Sequence, residues 1–365
     1  RLRLRAPTGT RIEETERQVL KALDSIRAEV GAQNLQITSD FVGTIPSSYP
    51  VNLIHLFTSG PQEAIVQVAV KPGSERGEGL RERLRARLRR DLPGLQVSFE
   101  AADIVTQVMS FGSPTPVEVA VQGISLAADY AHAEKVRGEM AKLEFLRDLQ
   151  VAQPPDFPTV DVKVDRARAG QFGLTMADVA RSVVPATSSS RFTQPNYWRD
   201  PNSGNAFQIQ LQLPQDHMQS VERLGELPVM RDGRAEPRLS EVATFSLGTM
   251  PGLIERYNGQ HVVSLTANVH GLTLGDVAER VQAAIAAAGA PPKGVSVKLR
   301  GEAPALAQTV SGLKLGLGLA VALIFLLLAA NFQSVRLALA VVLTIPAVLC
   351  GVVLMLLATG TTLNV

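Results

Sequence analysis

The apolar residues divide the chain into a long region of short alternating segments and a C-terminal region of two continuous apolar runs. Residues 315–330 (LGLGLAVALIFLLLAA) and 337–358 (LALAVVLTIPAVLCGVVLMLLA) contain no charge. A bilayer core of about 30 Å requires about 20 apolar residues in a helix. The runs therefore predict two membrane-spanning helices, about 312–332 and 337–358, with a buried helix of a soluble core as the alternative. Pro346 is tolerated in the second because neighbouring helices can satisfy the freed carbonyl.

The first 115 residues contain six predicted elements separated by short polar stretches. Strands are predicted at 1–5, 35–42, 64–70 and 95–100, and helices at 11–30 and 78–91. Thr10 is the expected cap of the first helix, with Glu13 in the capping-box position. The order β-α-β, β-α-β predicts an antiparallel sheet with two helices on one face.

The same pattern then restarts and is interrupted in its middle. A strand, a helix and a strand are predicted at 117–121, 126–145 and 149–153, and again at 262–269, 273–288 and 295–300. The interruption at 158–252 has a predicted strand at 159–164, helical stretches over 165–184, a polar loop over 185–205, a strand at 206–213 and a turn at Asp232-Gly233. The predicted fold class is α+β: two βαβ-repeat, ferredoxin-like subdomains, an inserted subdomain and a transmembrane helical hairpin.

Composition excludes several classes of function. The formal net charge of +2 gives no field that favours nucleic acid. Motifs for phosphate binding, nucleophilic hydrolysis or zinc proteolysis are missing from the sequence, so no enzyme activity and no cofactor are predicted. The single cysteine, Cys350, lies in the second apolar run, which suits an oxidising compartment for the rest of the chain.

Histidine and methionine do not form a metal-binding pattern in the sequence. The five histidines are predicted to be separate surface residues, because none has metal-ligand spacing to another ligand; they are His55, His132, His217, His261 and His270. The methionines also occur singly, so a soft-metal path is not predicted.

A basic segment at 81–90 (RERLRARLRR) allows two interpretations. It could contact phosphate or lipid headgroups. The favoured interpretation is a solvated helix face with Leu80, Leu84 and Leu88 turned inward at helical spacing.

The chain begins inside a predicted strand and has no initiator Met or signal peptide. We expect it to be part of a longer polypeptide. The predicted spans also have no acidic or basic residue at mid-depth, so residues that couple transport to an energy source are expected outside this chain.

Several motifs together resemble those of the resistance–nodulation–division (RND) efflux permeases. One is the stretch Phe325–Val365, with Phe332-x-Ser334 between the spans, then Ile345-Pro346 and Gly351. Others are Ile254-Glu255-Arg256-Tyr257-Asn258-Gly259, the segment DVKVDRARA at 161–169 followed by Gly173-Leu174-Thr175, and Pro7-x-Gly9-Thr10 near the start. The resemblance covers essentially the whole chain and corresponds to the C-terminal half of such a permease.

This resemblance implies a domain organisation and an assembly. Residues 1–115 would be the first C-terminal porter subdomain, 116–157 with 253–300 the second, 158–252 the inserted docking subdomain, and 301–365 two transmembrane helices. The family works as a homotrimer in the bacterial inner membrane, with a periplasmic adaptor protein and an outer-membrane channel. Residues 1–310 would then lie in the periplasm.

The family's substrate pockets are lined by aromatic residues between porter subdomains. The matching positions make five residues candidates for substrate binding: Phe41, Tyr49, Phe57, Met109 and Phe111. A metal site is not predicted.

The leading functional hypothesis is a proton-driven exporter of small hydrophobic or amphiphilic compounds. The first alternative is a heavy-metal cation exporter of the same superfamily. A membrane-anchored periplasmic binding or assembly module is the second, and a nucleic-acid module based on Arg81–Arg90 is the third.

Overall fold

A computed structural model shows how these segments are arranged. It describes residues 1–44, 58–75, 77–103, 106, 108, 110, 112–190, 193, 195–214, 217–218, 220–231 and 234–359. The chain forms two compact units. One contains residues 1–7, 11–153 and 254–365, and the other contains residues 8–10 and 154–253.

The first unit begins with a four-stranded antiparallel sheet and two helices. Its elements are β1 (Leu2–Arg5), α1 (Ile12–Val30), β2 (Leu35–Val42), β3 (Glu63–Val70), α2 (Glu78–Asp91) and β4 (Gln96–Phe99). The strand order is β2-β3-β1-β4. The expected Thr10 cap is wrong: Arg11 is the N-cap of α1, and no side chain caps it.

The chain continues into the first half of a second sheet and then leaves it. This half contains β5 (Val117–Gly123), α3 (Leu126–Met140) and β6 (Leu146–Val151). Helix α3 ends five residues earlier than predicted, because a turn over residues 141–145 leads into β6.

The second unit is built from short strands and helices. In chain order its elements are β7 (Phe157–Val164), α4 (Arg166–Gln171), α5 (Met176–Thr187), β8 (Asn196–Arg199), β9 (Ala206–Ile209), α6 (Val221–Gly225), β10 (Pro228–Arg231), β11 (Arg234–Arg238), α7 (Leu239–Val242) and β12 (Ala243–Met250). The long strands β7 and β12 pair antiparallel. Thr175 and Asp178 form a reciprocal capping box at the start of α5.

The chain then returns to complete the second sheet. The returning elements are β13 (Glu255–Tyr257), β14 (Gln260–Val269), α8 (Leu274–Ala287) and β15 (Ser296–Gly301). β14 pairs with β6 on one side and β5 on the other, and β5 also pairs with β15. The order β6-β14-β5-β15 matches that of the first sheet, so the predicted interrupted repeat of βαβ units is confirmed.

In each sheet, the face that the helices cover carries the apolar side chains of the core. Side chains alternate between the two faces of a strand, so every second residue points to this face. In the second sheet the core face of β5 carries Val117, Val119 and Val121, which pack with α3 and α8. The first core is formed by Leu2, Leu4, Val19, Leu23, Ile26, Val66, Leu84, Leu88 and Phe99.

The two sheets of the first unit are joined by a buried polar cluster. Arg85 of α2 donates from Nε to both carboxylate oxygens of Asp148 in β6 at 2.9 Å. Asn268 of β14 donates to the same carboxylate at 2.9 Å and to the carbonyl of Phe99 at 2.8 Å. The Arg85 and Asp148 side chains are only 5% and 3% exposed, so a buried ion pair joins the two sheets.

Arg5 adds a second connection between the same two sheets. Its Nη1 and Nη2 donate to the backbone carbonyls of Val151 and Ala152 at 2.7 and 2.8 Å, while its Nε donates to Glu63. One guanidinium thus links β1 and β3 to the end of β6 by hydrogen bonds in a fixed fork.

Two C-terminal helices are long and apolar enough to cross a membrane. The first, α9 (Glu302–Phe332), has a mean hydropathy of 2.5 in its most apolar window, and residues Val335–Thr359 reach 2.8. Both windows lie on the surface of the structure, so the alternative of a buried soluble-core helix is not supported.

The second apolar stretch consists of α10 (Val335–Val342) and α11 (Thr344–Thr359). The break at Leu343 lies one turn before Pro346. Proline has no N–H to donate to the carbonyl four residues earlier, at Val342, and its ring crowds that carbonyl. The second predicted span is therefore not one continuous helix, because it is interrupted just before Pro346.

Candidate functional site

Of the predicted substrate residues, the structure describes Phe41. Phe41 is half-buried in β2, opposite Ile65 of β3. Tyr49, Phe57, Met109 and Phe111 lie outside the described residues. Their neighbour Ser110 is described, and it lines a cavity of about 530 Å³. Phe41 is not among the residues that line this cavity.

The cavity lies against the face of the second sheet that is turned away from the helices. Because side chains alternate along a strand, the residues between the core valines of β5 and β14 project to this face. They include Glu118 of β5 and Ser264 and Thr266 of β14. These three residues are 9%, 4% and 3% exposed, so the sheet presents buried oxygen atoms to the cavity.

Two carboxylates line the cavity. Glu118 accepts a hydrogen bond from Ser264 Oγ at 2.8 Å. Glu255 of β13 accepts one from Gln153 Nε2 at 2.5 Å, and Gln153 itself accepts from the backbone N–H of Ser264 at 2.9 Å. These bonds fix both carboxylates, which is the positioning that a binding site needs.

Burial and neighbouring charges raise the pKa values of two groups at or near the cavity, Glu255 and Tyr130. Burial raises the pKa of the Glu255 carboxyl, and the charge of nearby Glu118 raises it further. Burial and the Glu255 charge raise the pKa of Tyr130 to about 12. The Tyr130 hydroxyl thus stays protonated and donates to the Gln153 carbonyl at 3.0 Å.

The rim of the cavity comes from the ends of other elements. Arg300 of β15 stacks over the ring of Tyr257 at 4.5 Å. Gly301 and Pro304, at the start of the apolar helix α9, close one side. Sequence reasoning missed Glu118 and Glu255, although Glu118 was detectable as a charged residue within the alternating valines of β5.

The chemistry of the lining suits a hard or borderline cation. Its described residues offer carboxylate and hydroxyl oxygens, and none of them is Cys, Met or His. Oxygen donors bind divalent cations, whereas Cu(I) favours thiolate and thioether sulfur. Both carboxylates thus offer oxygen ligands at the wall of this cavity, which Arg300 also lines.

Two histidines correct the prediction of separate surface residues. His132 is only 2% exposed and lies inside α3, where burial lowers its pKa. His270 lies beside Glu78 and Glu82, a grouping of possible metal ligands that sequence spacing did not reveal. Helix α2 and the end of β14 are distant in sequence, so only the fold brings these ligands together. His55 is outside the described residues.

The basic helix α2 matches the favoured interpretation. Leu84 and Leu88 are buried and Leu80 packs partly against the same core. Its arginines form ion pairs within the protein, including Arg83 with Glu75 and Glu29, and Arg87 with Glu29. Internal pairing neutralises much of the charge that a phosphate ligand would need.

Comparisons with known proteins identify a family and several relatives. The model of the AcrB/AcrD/AcrF family matches residues 3–365. The cobalt-zinc-cadmium resistance protein CzcA of Cupriavidus metallidurans is 30% identical over 241 residues, covering 64% of this chain and 22% of CzcA. The nickel and cobalt resistance protein CnrA of the same organism is 28% identical over 258 residues, covering 68% of this chain and 23% of CnrA.

The chain thus spans less than a quarter of the length of these two relatives. A crystal structure of a heavy metal efflux pump superimposes with a TM-score of 0.82 at 21% identity, covering all of this chain and 36% of that one. The shared fold and the family match over nearly every residue lead to one conclusion: this chain belongs to the AcrB/AcrD/AcrF family of RND permeases.

Proposed function

We propose that this chain is the C-terminal porter, docking and partial membrane region of an inner-membrane pump that exports divalent metal cations. The observation that carries the proposal is the cavity with two positioned carboxylates, Glu118 and Glu255, whose described lining residues offer oxygen atoms as metal ligands and no sulfur or imidazole. This replaces the leading hypothesis of hydrophobic export with the heavy-metal alternative. The resistance to cobalt, zinc, cadmium and nickel named for CzcA and CnrA supports the same choice.

The proposal extends to location and assembly. Residues 1–310 would lie in the periplasm and the two apolar helices in the inner membrane. The pump would work as a homotrimer with an adaptor and an outer-membrane channel. The hairpin β8–β9 supports a contact with another protein, because Trp198 and Phe207 face each other on it and are both about half exposed.

Removing the cavity carboxylates should strongly reduce export of divalent cations. Glu118→Gln and Glu255→Gln keep the side-chain shape but remove the negative charges that a cation needs. We expect the double variant of the full-length pump to lower Zn²⁺ or Co²⁺ export at least about tenfold, since even outer-shell changes around metals cost 10–100-fold. Export is measured by metal retention in cells that lack other exporters.

Glu134→Gln is the matched control, because Glu134 pairs with Arg137 on the surface of α3 and does not line the cavity. It should export like the wild type. Unchanged Zn²⁺ and Co²⁺ export by the double variant, or export of hydrophobic dyes in place of metal, would refute the proposal.

Cation binding in the cavity should also weaken as the solution becomes acidic. The Glu255 carboxyl must be deprotonated to bind a metal, and its pKa is raised. Protonation therefore displaces the cation at a higher pH than an ordinary glutamate would allow, and affinity falls as pH decreases through that raised value. Isothermal titration at a series of pH values measures this, and Glu255→Gln should remove that step of the profile.

A further inference from the structure

Arg300 brings a positive charge to the cavity that Glu118 and Glu255 line. It is the only basic residue among the described residues of the cavity wall. Burial raises the pKa of the Glu255 carboxyl, and the Arg300 charge opposes that rise, so the guanidinium lies close enough to act on this carboxylate. A metal cation in the cavity is therefore attracted by the two carboxylates and repelled by Arg300.

The strand register places Arg300 directly opposite Glu118. Strand β15 pairs antiparallel with β5, and these two residues are partners in the pairing. Side chains directly opposite each other lie on the same face of a sheet, with Cβ atoms about 4.5–5.5 Å apart, so the long arginine side chain can reach the carboxylate. Glu118 accepts a hydrogen bond from Ser264 at Oε1, and within the described residues no donor binds Oε2. Glu118 thus has a free oxygen for either a guanidinium or a metal.

The Arg300 guanidinium lies over an aromatic ring and not on a carboxylate. In the part of the chain that the structure describes, it forms no ion pair, and its central carbon is 4.5 Å from the centre of the Tyr257 ring. Tyr257 is 51% exposed, and a cation–π contact is weak at an exposed site, so Arg300 can exchange this contact for another. Arg3, whose charge also acts on Glu255, is held by ion pairs with Glu63 and Glu100 at 3.1 and 2.6 Å.

We propose that Arg300 competes with the transported metal for the cavity carboxylates, and that the Tyr257 ring limits this competition by holding the guanidinium away from them. The inference rests on the proposed function, because it requires the cavity to be the metal site. Over Tyr257, as in the structure, the guanidinium leaves both carboxylates to the metal; paired with Glu118, it excludes the metal. Arg300 thus lowers the affinity of the cavity, which favours the release that transport needs.

Calorimetric titration of the full-length pump in detergent with Co²⁺ tests this competition. The class of sites to follow is the one that Glu118→Gln with Glu255→Gln removes. Arg300→Gln should bind Co²⁺ in that class about fivefold or more tightly, because a repelling charge is removed. Tyr257→Leu should bind it about two- to fivefold more weakly, the scale of an exposed cation–π contact. In the Arg300→Gln background, Tyr257→Leu should have no effect, because no guanidinium is left to hold.

Lys298→Gln is the matched control for the loss of one positive charge. Lys298 lies two residues before Arg300 on the same face of β15, opposite Ala120, but it is exposed and does not line the cavity. Solvent screens its charge, so this variant should titrate like the wild type. Circular dichroism of the Arg300 and Tyr257 variants should also match the wild type, because both side chains are partly exposed.

The outcomes separate this inference from the proposed function. If Arg300→Gln binds Co²⁺ no more tightly than the wild type, or if Tyr257→Leu weakens binding equally with and without Arg300, the competition is refuted while the cavity stands as the metal site. If Glu118→Gln with Glu255→Gln leaves Co²⁺ binding unchanged, the cavity is not the metal site and both proposals fail. If Arg300→Gln tightens binding but the pump exports no metal, the competition stands and the export proposal fails.

Discussion

Asp148→Asn is expected to lower the free energy of unfolding by about 3–5 kcal/mol, the usual cost of removing one partner from a buried ion pair. The substitution leaves the Arg85 guanidinium, 5% exposed, without its main counter-charge. It also weakens the acceptor for Asn268. Asparagine is chosen because the backbone at position 148 has φ +55°, a left-handed conformation that asparagine tolerates better than alanine. The measurement is a denaturant titration of the chain in detergent.

Two controls separate this buried pair from ordinary surface charge. Glu134→Gln removes one partner of an exposed pair with Arg137 and should change stability by no more than about 1 kcal/mol. The double variant Arg85→Met with Asp148→Asn should be more stable than Asp148→Asn alone, because the buried guanidinium that lost its main counter-charge is also removed. A single variant as stable as the wild type would contradict the assigned role of Asp148 in joining the sheets.

The second large effect is expected at the junction between β15 and α9. Gly301 has φ +94° and pairs with Val117, and the N–H of Glu302 donates to the Pro116 carbonyl at 3.0 Å. A Cβ at Gly301 would lie 2.3 Å from the Pro116 carbonyl oxygen, which is backbone and has little room to move. Gly301→Ala should therefore combine backbone strain of about 1–3 kcal/mol with an overpacking cost of about 1–3 kcal/mol.

Gly294→Ala is the matched control for this junction. Gly294 has φ +87°, but a Cβ there meets nothing within 4 Å, so only the strain of the backbone conformation applies. The difference between the two variants in unfolding free energy measures the clash with Pro116. Equal destabilisation by both substitutions would show that the close approach at Gly301 costs nothing.

The sequence revealed the parts of the fold that depend on local periodicity. The alternation in residues 1–5 and 117–121 and the helical spacing of Leu84 and Leu88 predicted strands and helices that the structure contains. The uncharged runs predicted both apolar helices. Some predicted boundaries were wrong. Helix α9 begins directly after β15, about ten residues before the predicted span, because its first turns belong to the soluble part of the fold and carry no continuous apolar run.

Elements with exposed strands were hardest to recognise. Strand β8 (Asn196–Arg199) is exposed at every position, so it carries no alternating pattern, and the sequence predicts a loop there. A strand was predicted over 206–213, but only Ala206–Ile209 forms a strand, which pairs with β8. Strand β12 contains Gly248 and lies mostly exposed opposite β7, and the sequence did not predict it. The porter and docking assignments and their boundaries remain predictions, as do the roles of Phe41, Tyr49, Phe57, Met109 and Phe111.

By itself the sequence determined the order of elements, the repeat and the family resemblance, because these follow from residues close together along the chain. The tertiary structure alone decided which polar residues meet. Ser264 and Glu118 are 146 positions apart, and Asn268 and Asp148 are 120 apart. Pairing of strands β5, β6 and β14 brings these distant residues together, and no local pattern records that pairing. The cavity with its two carboxylates is therefore a property of the strand order.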